Sequence, residues 1–150
     1  MFKKILVPVD GSSNSWKALD TAKGLASKFG GELIVLHVVQ TYSSANLYLS
    51  GGSDISLTSE NRQLSHIGSR VLETARDRMS DFHGRVRFIM EVGHASDKVV
   101  DVAREEEVDS IVIGSRGLRG VKEFLLGSVS SEVSQHSPVP VLIVKEPDPG

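Results

Sequence analysis

The chain has 150 residues, of which 39% are hydrophobic and 24% are charged, so it is long enough for one domain with a substantial core. Its formal net charge of −2 predicts no binding to nucleic acid or to an anionic membrane surface, and its apolar runs are too short for a signal peptide or a membrane span. We therefore expect a cytoplasmic protein, and the absence of cysteine excludes disulfides, thiolate catalysis and cysteine-based metal sites.

Five short apolar runs rich in β-branched residues predict five strands. Most of these runs are continuous rather than alternating, which is typical of parallel strands covered on both faces. The predicted strands are Ile5–Val9, Leu33–Val39, Val86–Val92, Ser110–Ile113 and Val139–Val144. Pro140 cannot donate to a sheet ladder, which favours an edge position or a strand start for the last run.

Segments with a helical period separate the strands. The first has Ser12 or Ser13 as its N-cap and ends at Gly30. The second carries apolar residues at spacings of three and four from Leu64 to Phe82. The third and fourth begin near Ser96 and after Ser128. This alternation predicts a single α/β domain over residues 1–150, with an open five-stranded parallel sheet and helices on both faces.

One connection is much longer than the others. Residues 40–59 are rich in serine and glycine, and connections of this length inside compact domains are usually functional or disordered. We therefore predict a long flexible loop over residues 40–59.

The clearest functional pattern lies between Ile111 and Ser131. An apolar strand ends at Gly114, Gly117 follows after two residues, and Gly127 with Ser128 follows after nine more. Glycine lets the backbone approach a ligand closely, and a bent backbone can direct several N–H groups at one anion. The helix predicted after Ser128 adds an N-terminus, where free N–H groups favour phosphate. The spacing therefore predicts a phosphate-binding loop.

The spacing Gly-x2-Gly-x9-Gly-Ser resembles the nucleotide-binding signature of the universal stress protein family, in its ATP-binding branch. The opening segment Pro8-x-Asp10-x-Ser12 is similar to the end of that family's first strand. The resemblance covers nearly the whole chain and implies the Rossmann-like strand order 3-2-1-4-5 of adenine nucleotide alpha hydrolase-like proteins. It also implies ATP as ligand, with Mg²⁺ carried by the phosphates, and a homodimer formed through the last strand at Val141–Val144.

The implied strand order places the carboxyl ends of the first and fourth strands side by side, where ligands bind in open α/β sheets. For the base and ribose, the resemblance implies apolar walls from Pro8 and Val9, a carboxylate from Asp10, and backbone groups of Val38 and Val39. For the phosphates it implies Arg116, Gly117, Gly127, Ser128, Val129 and Ser130, with Gly114 in the same crevice as Asp10. Simpler alternatives stay open for the side chains: Asp10 as an N-cap or turn residue, the valines as core residues, and Arg116 as a solvated surface side chain. For the glycines, the alternative is a strand end at Gly114, turn residues at Gly117 and Gly120, and a tight helix entry at Gly127.

The sequence assigns no residue to catalysis and none to a metal site. A phosphate cradle without an obvious general base predicts at most a slow ATPase. The resulting hypothesis is an ATP-binding regulatory protein of the stress response, switched by nucleotide occupancy. Two alternatives remain: a dimeric interaction module of the same fold that works without nucleotide, and a flavodoxin-like flavin binder that holds the flavin phosphate on the serine-rich segment after the first strand.

Overall fold

The computed structural model describes residues 1–40, 54–116 and 128–145, and within residues 54–61 it describes the backbone only. Strands and helices alternate along these segments, which confirms the predicted α/β class. The elements are β1 (Lys4–Pro8), α1 (Ser13–Phe29), β2 (Glu32–Val39), α2 (Asp54–Arg78), β3 (Val86–Val92), α3 (Ala95–Glu105), β4 (Ser110–Gly114), α4 (Ser128–His136) and β5 (Val141–Val144). None of the helices in this described part is long and apolar enough to cross a membrane.

The five strands form one parallel sheet in the order β3-β2-β1-β4-β5, as the family resemblance implied. Leu6 of the central strand is aligned with Ile34 on one side and with Ile111 on the other. Flavodoxin-like sheets have the order 2-1-3-4-5. The flavodoxin-like alternative is therefore wrong, because β1 and not β3 occupies the centre of this sheet.

Apolar side chains on the two faces of the sheet form two separate cores. Side chains alternate between the faces of a strand, so Ile5 and Val7 pack against α1 and α2 while Leu6 packs against α3 and α4. The strands need apolar residues at successive positions because helices cover both faces. This packing explains why the strand sequences are continuous rather than alternating.

Helix α1 begins and ends where the sequence predicts. The Ser12 side chain accepts a hydrogen bond from the backbone N–H of Ser15 at 3.2 Å, so Ser12 rather than Ser13 is the N-cap. At the other end, the helix stops before Gly30, which occupies the C-cap position.

The long connection after β2 is shorter than the sequence predicts. Helix α2 begins at Asp54, so residues 54–59 are helical and the prediction of a loop through Ser59 is wrong over that stretch. Serine content indicates a loop only weakly, because serine has an intermediate helix propensity that the context of the fold overrides. Residues 41–53 lie outside the described residues.

One carboxylate joins the starts of β1 and β4 at the amino end of the sheet. Asp109 accepts hydrogen bonds from the backbone N–H groups of Phe2, Lys3 and Lys4, at 3.1, 2.8 and 3.2 Å. It also accepts a bond from the hydroxyl of Ser110 at 3.0 Å. Asp109 therefore fixes the start of β1 against the start of β4.

Candidate functional site

The strand order reverses direction between β1 and β4. From β1 the chain proceeds outward to β2 and β3, and it then returns to the other side of β1 to form β4 and β5. Because all strands are parallel, the residues that follow Pro8 and those that follow Gly114 leave the sheet at the same edge. Ligands of open α/β sheets bind at such a reversal, so the candidate site lies here.

The turn between β1 and α1 is built by Asp10 and its neighbours. Oδ1 of Asp10 accepts a hydrogen bond from the N–H of Ser12 at 2.9 Å, and Gly11 between them has a φ of 88°, which glycine adopts without strain. The hydroxyl of Ser15 accepts from the N–H of Asp10 at 3.3 Å and donates to the carbonyl of Ser12 at 2.9 Å. Asp10 is thus a turn residue, and the same turn holds its carboxyl group at the carboxyl edge of the sheet.

Asn14 and Gly114 meet in the middle of the candidate site. A Cβ atom on Gly114 would lie 2.5 Å from Oδ1 of Asn14 and 3.0 Å from its backbone carbonyl oxygen, so a side chain at position 114 requires Asn14 to move. Oδ1 of Asn14 accepts from the N–H of Arg116 at 2.6 Å, and its Nδ2 donates to the carbonyl of Val144 at 3.2 Å. Sequence reasoning missed Asn14, since these partners are 102 and 130 positions away.

The first turn of α4 is attached to the end of β4. Ser130 is buried, and its hydroxyl donates to the carbonyl of Ser115 at 3.3 Å. The N–H of Ser115 donates to the carbonyl of Val144 at 2.9 Å. Ser128 is exposed at the first position of α4, and the half-buried Val129 packs against the core. Two residues of the motif, Gly117 and Gly127, lie outside the described residues.

The end of β2 forms the other wall of the crevice. Nδ1 of His37 lies 2.9 Å from the carbonyl oxygen of Val9. Because a carbonyl oxygen can only accept, Nδ1 is the donor of this hydrogen bond. The carbonyl of Val39 accepts from the N–H of Gly93 at 2.9 Å, and the side chains of Val9 and Val39 are buried. Pro8 and Val38 are half-buried, and Val38 packs partly against the α3 and α4 core.

A serine, a histidine and a glutamate lie together between α3 and α4. The Ser96 hydroxyl donates to Oε2 of Glu132, and Nε2 of His94 lies 3.3 Å from the same oxygen. Both hydrogen bonds hold the pKa of the Glu132 carboxyl below its ordinary value, and the bond from Ser96 has the larger effect. The serine bonds to the carboxylate and not to the imidazole, so the arrangement is not that of a nucleophile activated by a base. The cluster therefore joins two helices.

An open depression of about 560 Å³ lies at the opposite, amino end of the sheet, lined in part by Lys3, Asp81 and Arg85. Its charged groups already have partners within the chain. Nζ of Lys3 donates to the carbonyl of Phe29, Asp81 pairs with Lys23, and Nε of Arg85 lies 3.7 Å from Oε2 of Glu32. We therefore place the candidate site at the carboxyl end, where the glycine motif begins.

These observations define a Rossmann-like α/β protein with a candidate ligand site at the strand reversal. The sequence model of the Universal stress protein family matches residues 1–145, and the chain belongs to this family. Universal stress protein YxiE of Bacillus subtilis is 37% identical over 148 residues, which cover 97% of this chain and 100% of that protein.

Solved structures show the same fold over nearly the whole chain. The structure of MJ0577, a universal stress protein of Methanocaldococcus jannaschii, superposes with a TM-score of 0.84 at 31% identity and covers 99% of both chains. A universal stress protein solved in complex with cAMP superposes with a TM-score of 0.70 at 27% identity, covering 95% of this chain and 96% of that one.

Proposed function

We propose that this protein binds an adenine nucleotide, with ATP as ligand and Mg²⁺ carried on its phosphates, in the crevice between β1 and β4. One observation carries the proposal: the two described ends of the Gly-x2-Gly-x9-Gly-Ser segment meet at the strand reversal, where Ser130 bonds to Ser115. A segment tied at both ends can present glycine N–H groups to one anion. Bound cAMP in a family member that this chain matches over nearly its full length supports the adenine chemistry.

The base is expected to lie against the end of β2. The carbonyl of Leu36 accepts from the N–H of Val9, so the backbone groups of alternate β2 residues point towards β1. Val38 lies two residues further along β2, beyond the position aligned with Pro8, the last residue of β1. We therefore expect its N–H and carbonyl to face the crevice. The carbonyl of Val39 is already bonded to Gly93. Val38 is thus the better candidate for reading the base, with Pro8 and Val9 beside it and Asp10 near the ribose.

The phosphates are expected to lie between the end of β4 and the start of α4. The first turn of α4 contains Ser128, Val129 and Ser130 and directs the positive end of a helix dipole towards this position. Gly117 and Gly127 complete the proposed cradle, and the Arg116 guanidinium supplies positive charge. We infer binding with at most slow hydrolysis, because efficient phosphoryl transfer also needs a positioned nucleophile.

We further propose that two copies associate through β5 and that nucleotide occupancy regulates the dimer. β5 is an edge strand of the sheet, and edge strands present backbone groups that can pair with another chain. Leu142 is 40% exposed and the other residues of β5 are half-buried, so the strand as a whole offers an apolar surface to a partner.

Thermal unfolding with and without Mg-ATP tests the nucleotide proposal. Ligand at about one hundred times its dissociation constant stabilises a protein by roughly 2.7 kcal/mol, which raises Tm by about 5–10 °C for a domain of this size. GTP and AMP test the base and the phosphates, and the Gly127→Val variant tests the cradle. A nucleotide-free protein that shows no shift with Mg-ATP would favour the nucleotide-independent interaction module instead.

Sedimentation of the Leu142→Lys variant tests the dimer proposal. A lysine at the centre of the interface should shift the protein from dimer to monomer, because its charge would have to be buried against the partner strand. Ile67→Lys is the matched control, since Ile67 is also an exposed aliphatic residue, at 54%, but lies on α2. Equal sedimentation of both variants and the unmodified protein would contradict an interface at β5.

A further inference from the structure

Asn14 is a buried polar residue whose bonds join three elements. It lies in the first turn of α1 and is only 3% exposed. Its carbonyl oxygen accepts from Arg116, just beyond β4, and its amide nitrogen donates to Val144, the last residue of β5. One rigid, planar side chain therefore orients the backbone at the carboxyl ends of two neighbouring strands.

The short bond to Arg116 has a direct chemical consequence. The N–H of Arg116 points to Oδ1 of Asn14 at 2.6 Å, so this N–H is occupied and cannot also serve a phosphate as its donor. Any contact of Arg116 with a phosphate must then come from its guanidinium group. The direction in which that side chain leaves the sheet depends on the peptide that Asn14 holds.

Neighbouring contacts leave little freedom for an alternative arrangement. Gly114 packs against Asn14 without room for a Cβ atom, and the carbonyl of Val144 accepts from Ser115 as well as from Asn14. Ser115 also accepts from Ser130 in the first turn of α4. Movement of Asn14 would therefore shift both described ends of the motif segment.

We infer that Asn14 is a positioning residue for phosphate binding, which orients the Arg116 guanidinium by fixing the Arg116 peptide against the end of β5. This inference rests on the proposed function, since it concerns the same nucleotide site. It separates the phosphate part of the site, which depends on Asn14, from the base part at Val38, which does not.

Calorimetric titration with Mg-ATP and with adenosine tests this separation. The Asn14→Ala variant should bind Mg-ATP about tenfold more weakly, the equivalent of about 1.4 kcal/mol, while adenosine, which has no phosphates, binds as before. Ser110→Ala is the matched control, because Ser110 is a hydrogen-bonded polar residue, 1% exposed, at the opposite end of β4. Equal weakening of both ligands by Asn14→Ala would overturn the inference.

A double-mutant cycle with Arg116→Gln tests whether Asn14 acts through Arg116. If it does, Arg116→Gln weakens Mg-ATP binding in the unmodified protein but has little further effect in the Asn14→Ala background. Additive effects of the two substitutions would overturn the inference. A protein that binds neither ligand before any substitution would overturn the proposed function as well, so the two failures are distinguishable.

Amide hydrogen exchange on the unmodified protein provides a test that does not require the variant to fold. Saturating Mg-ATP should slow exchange at the Arg116 amide more than saturating adenosine does, because phosphate binding stabilises the arrangement that Asn14 holds. Equal exchange rates with the two ligands would contradict the role of Asn14.

Discussion

The two ends of the sheet differ in how they satisfy the backbone groups of the strand ends. At the amino end, the charged side chain of Asp109 accepts hydrogen bonds from the backbone N–H groups of three successive residues, Phe2, Lys3 and Lys4. At the carboxyl end, the neutral side chains of Asn14 and Ser130 bond to the backbone of Arg116, Val144 and Ser115.

Under the proposed function, this difference separates groups that stabilise the fold from groups that lie beside the bound phosphates. A carboxylate is suited to the amino end because it accepts several N–H bonds at once and strengthens each of them. The same charge beside the phosphates proposed at the end of β4 would repel them, whereas amide and hydroxyl groups satisfy the backbone there without adding charge. The carboxylate of Asp10, which accepts from the N–H of Ser12 at this edge, follows β1 and is assigned to the ribose in the proposal. We therefore expect substitutions at the amino end to change stability alone, and substitutions at the carboxyl end to change both stability and nucleotide binding.

The largest effect is expected for Asp109→Ala. The variant leaves three N–H groups without their acceptor, which should lower the free energy of unfolding by about 3 kcal/mol. Urea denaturation measures this loss, and the affinity for Mg-ATP should stay unchanged. Asp101→Ala, at an exposed position of α3, is the control and should change stability by less than about 0.5 kcal/mol. A selective loss of nucleotide affinity in Asp109→Ala would remove the distinction between the two ends.

A smaller loss of stability is expected for Gly114→Ala. The added Cβ atom would lie 2.5 Å from Oδ1 of Asn14, and the strain should cost about 2 kcal/mol. Unlike Asp109→Ala, this variant should also weaken Mg-ATP binding, because it displaces Asn14 and with it Arg116. Thermal unfolding and calorimetric titration measure the two effects, and normal stability together with normal binding would contradict the close packing of position 114.

The same substitution at Gly24 should have the opposite sign. Gly24 lies within α1, and no atom lies within 4 Å of the position that its Cβ would take. Alanine in a helix is more stable than glycine by roughly 0.5–1 kcal/mol, so Gly24→Ala should raise Tm without changing Mg-ATP affinity. A decrease in Tm would show that helix propensity does not control this position.

The smallest expected effect is the pH dependence at Glu132. Hydrogen bonds from Ser96 and His94, with the nearby charge of His136, lower its pKa in the folded protein. A lowered pKa stabilises the fold above the ordinary pKa of a glutamate, and the contribution disappears as the pH falls through the lowered value. The difference in Tm between the unmodified protein and Glu132→Gln should therefore be present at neutral pH and vanish in acid.

Glu105→Gln serves as the control for this measurement, because Glu105 is exposed near the end of α3. Its difference from the unmodified protein should stay small at every pH. A difference for Glu132→Gln that persists unchanged into acid would show that the carboxylate does not stabilise the contact between α3 and α4.

Local patterns predicted most of the elements. Ser12 and Gly30 mark the ends of α1 because a cap requires only groups within one helical turn. The strands were predicted because burial on both faces demands continuous apolar residues. The prediction of a loop through Ser59 was wrong because serine content is a weak signal that the helix beginning at Asp54 overrides.

The amino-acid sequence by itself determined the α/β class, the ends of α1 to within one residue and the glycine spacing, since each depends on residues close together along the chain. Only the tertiary structure decided that Asn14 contacts Arg116 and Val144, because those contacts exist only once β1, β4 and β5 lie side by side. The contact of Asp109 with the start of β1 was decided in the same way. Contacts between residues more than one hundred positions apart follow from strand order, and strand order is a property of the whole sheet.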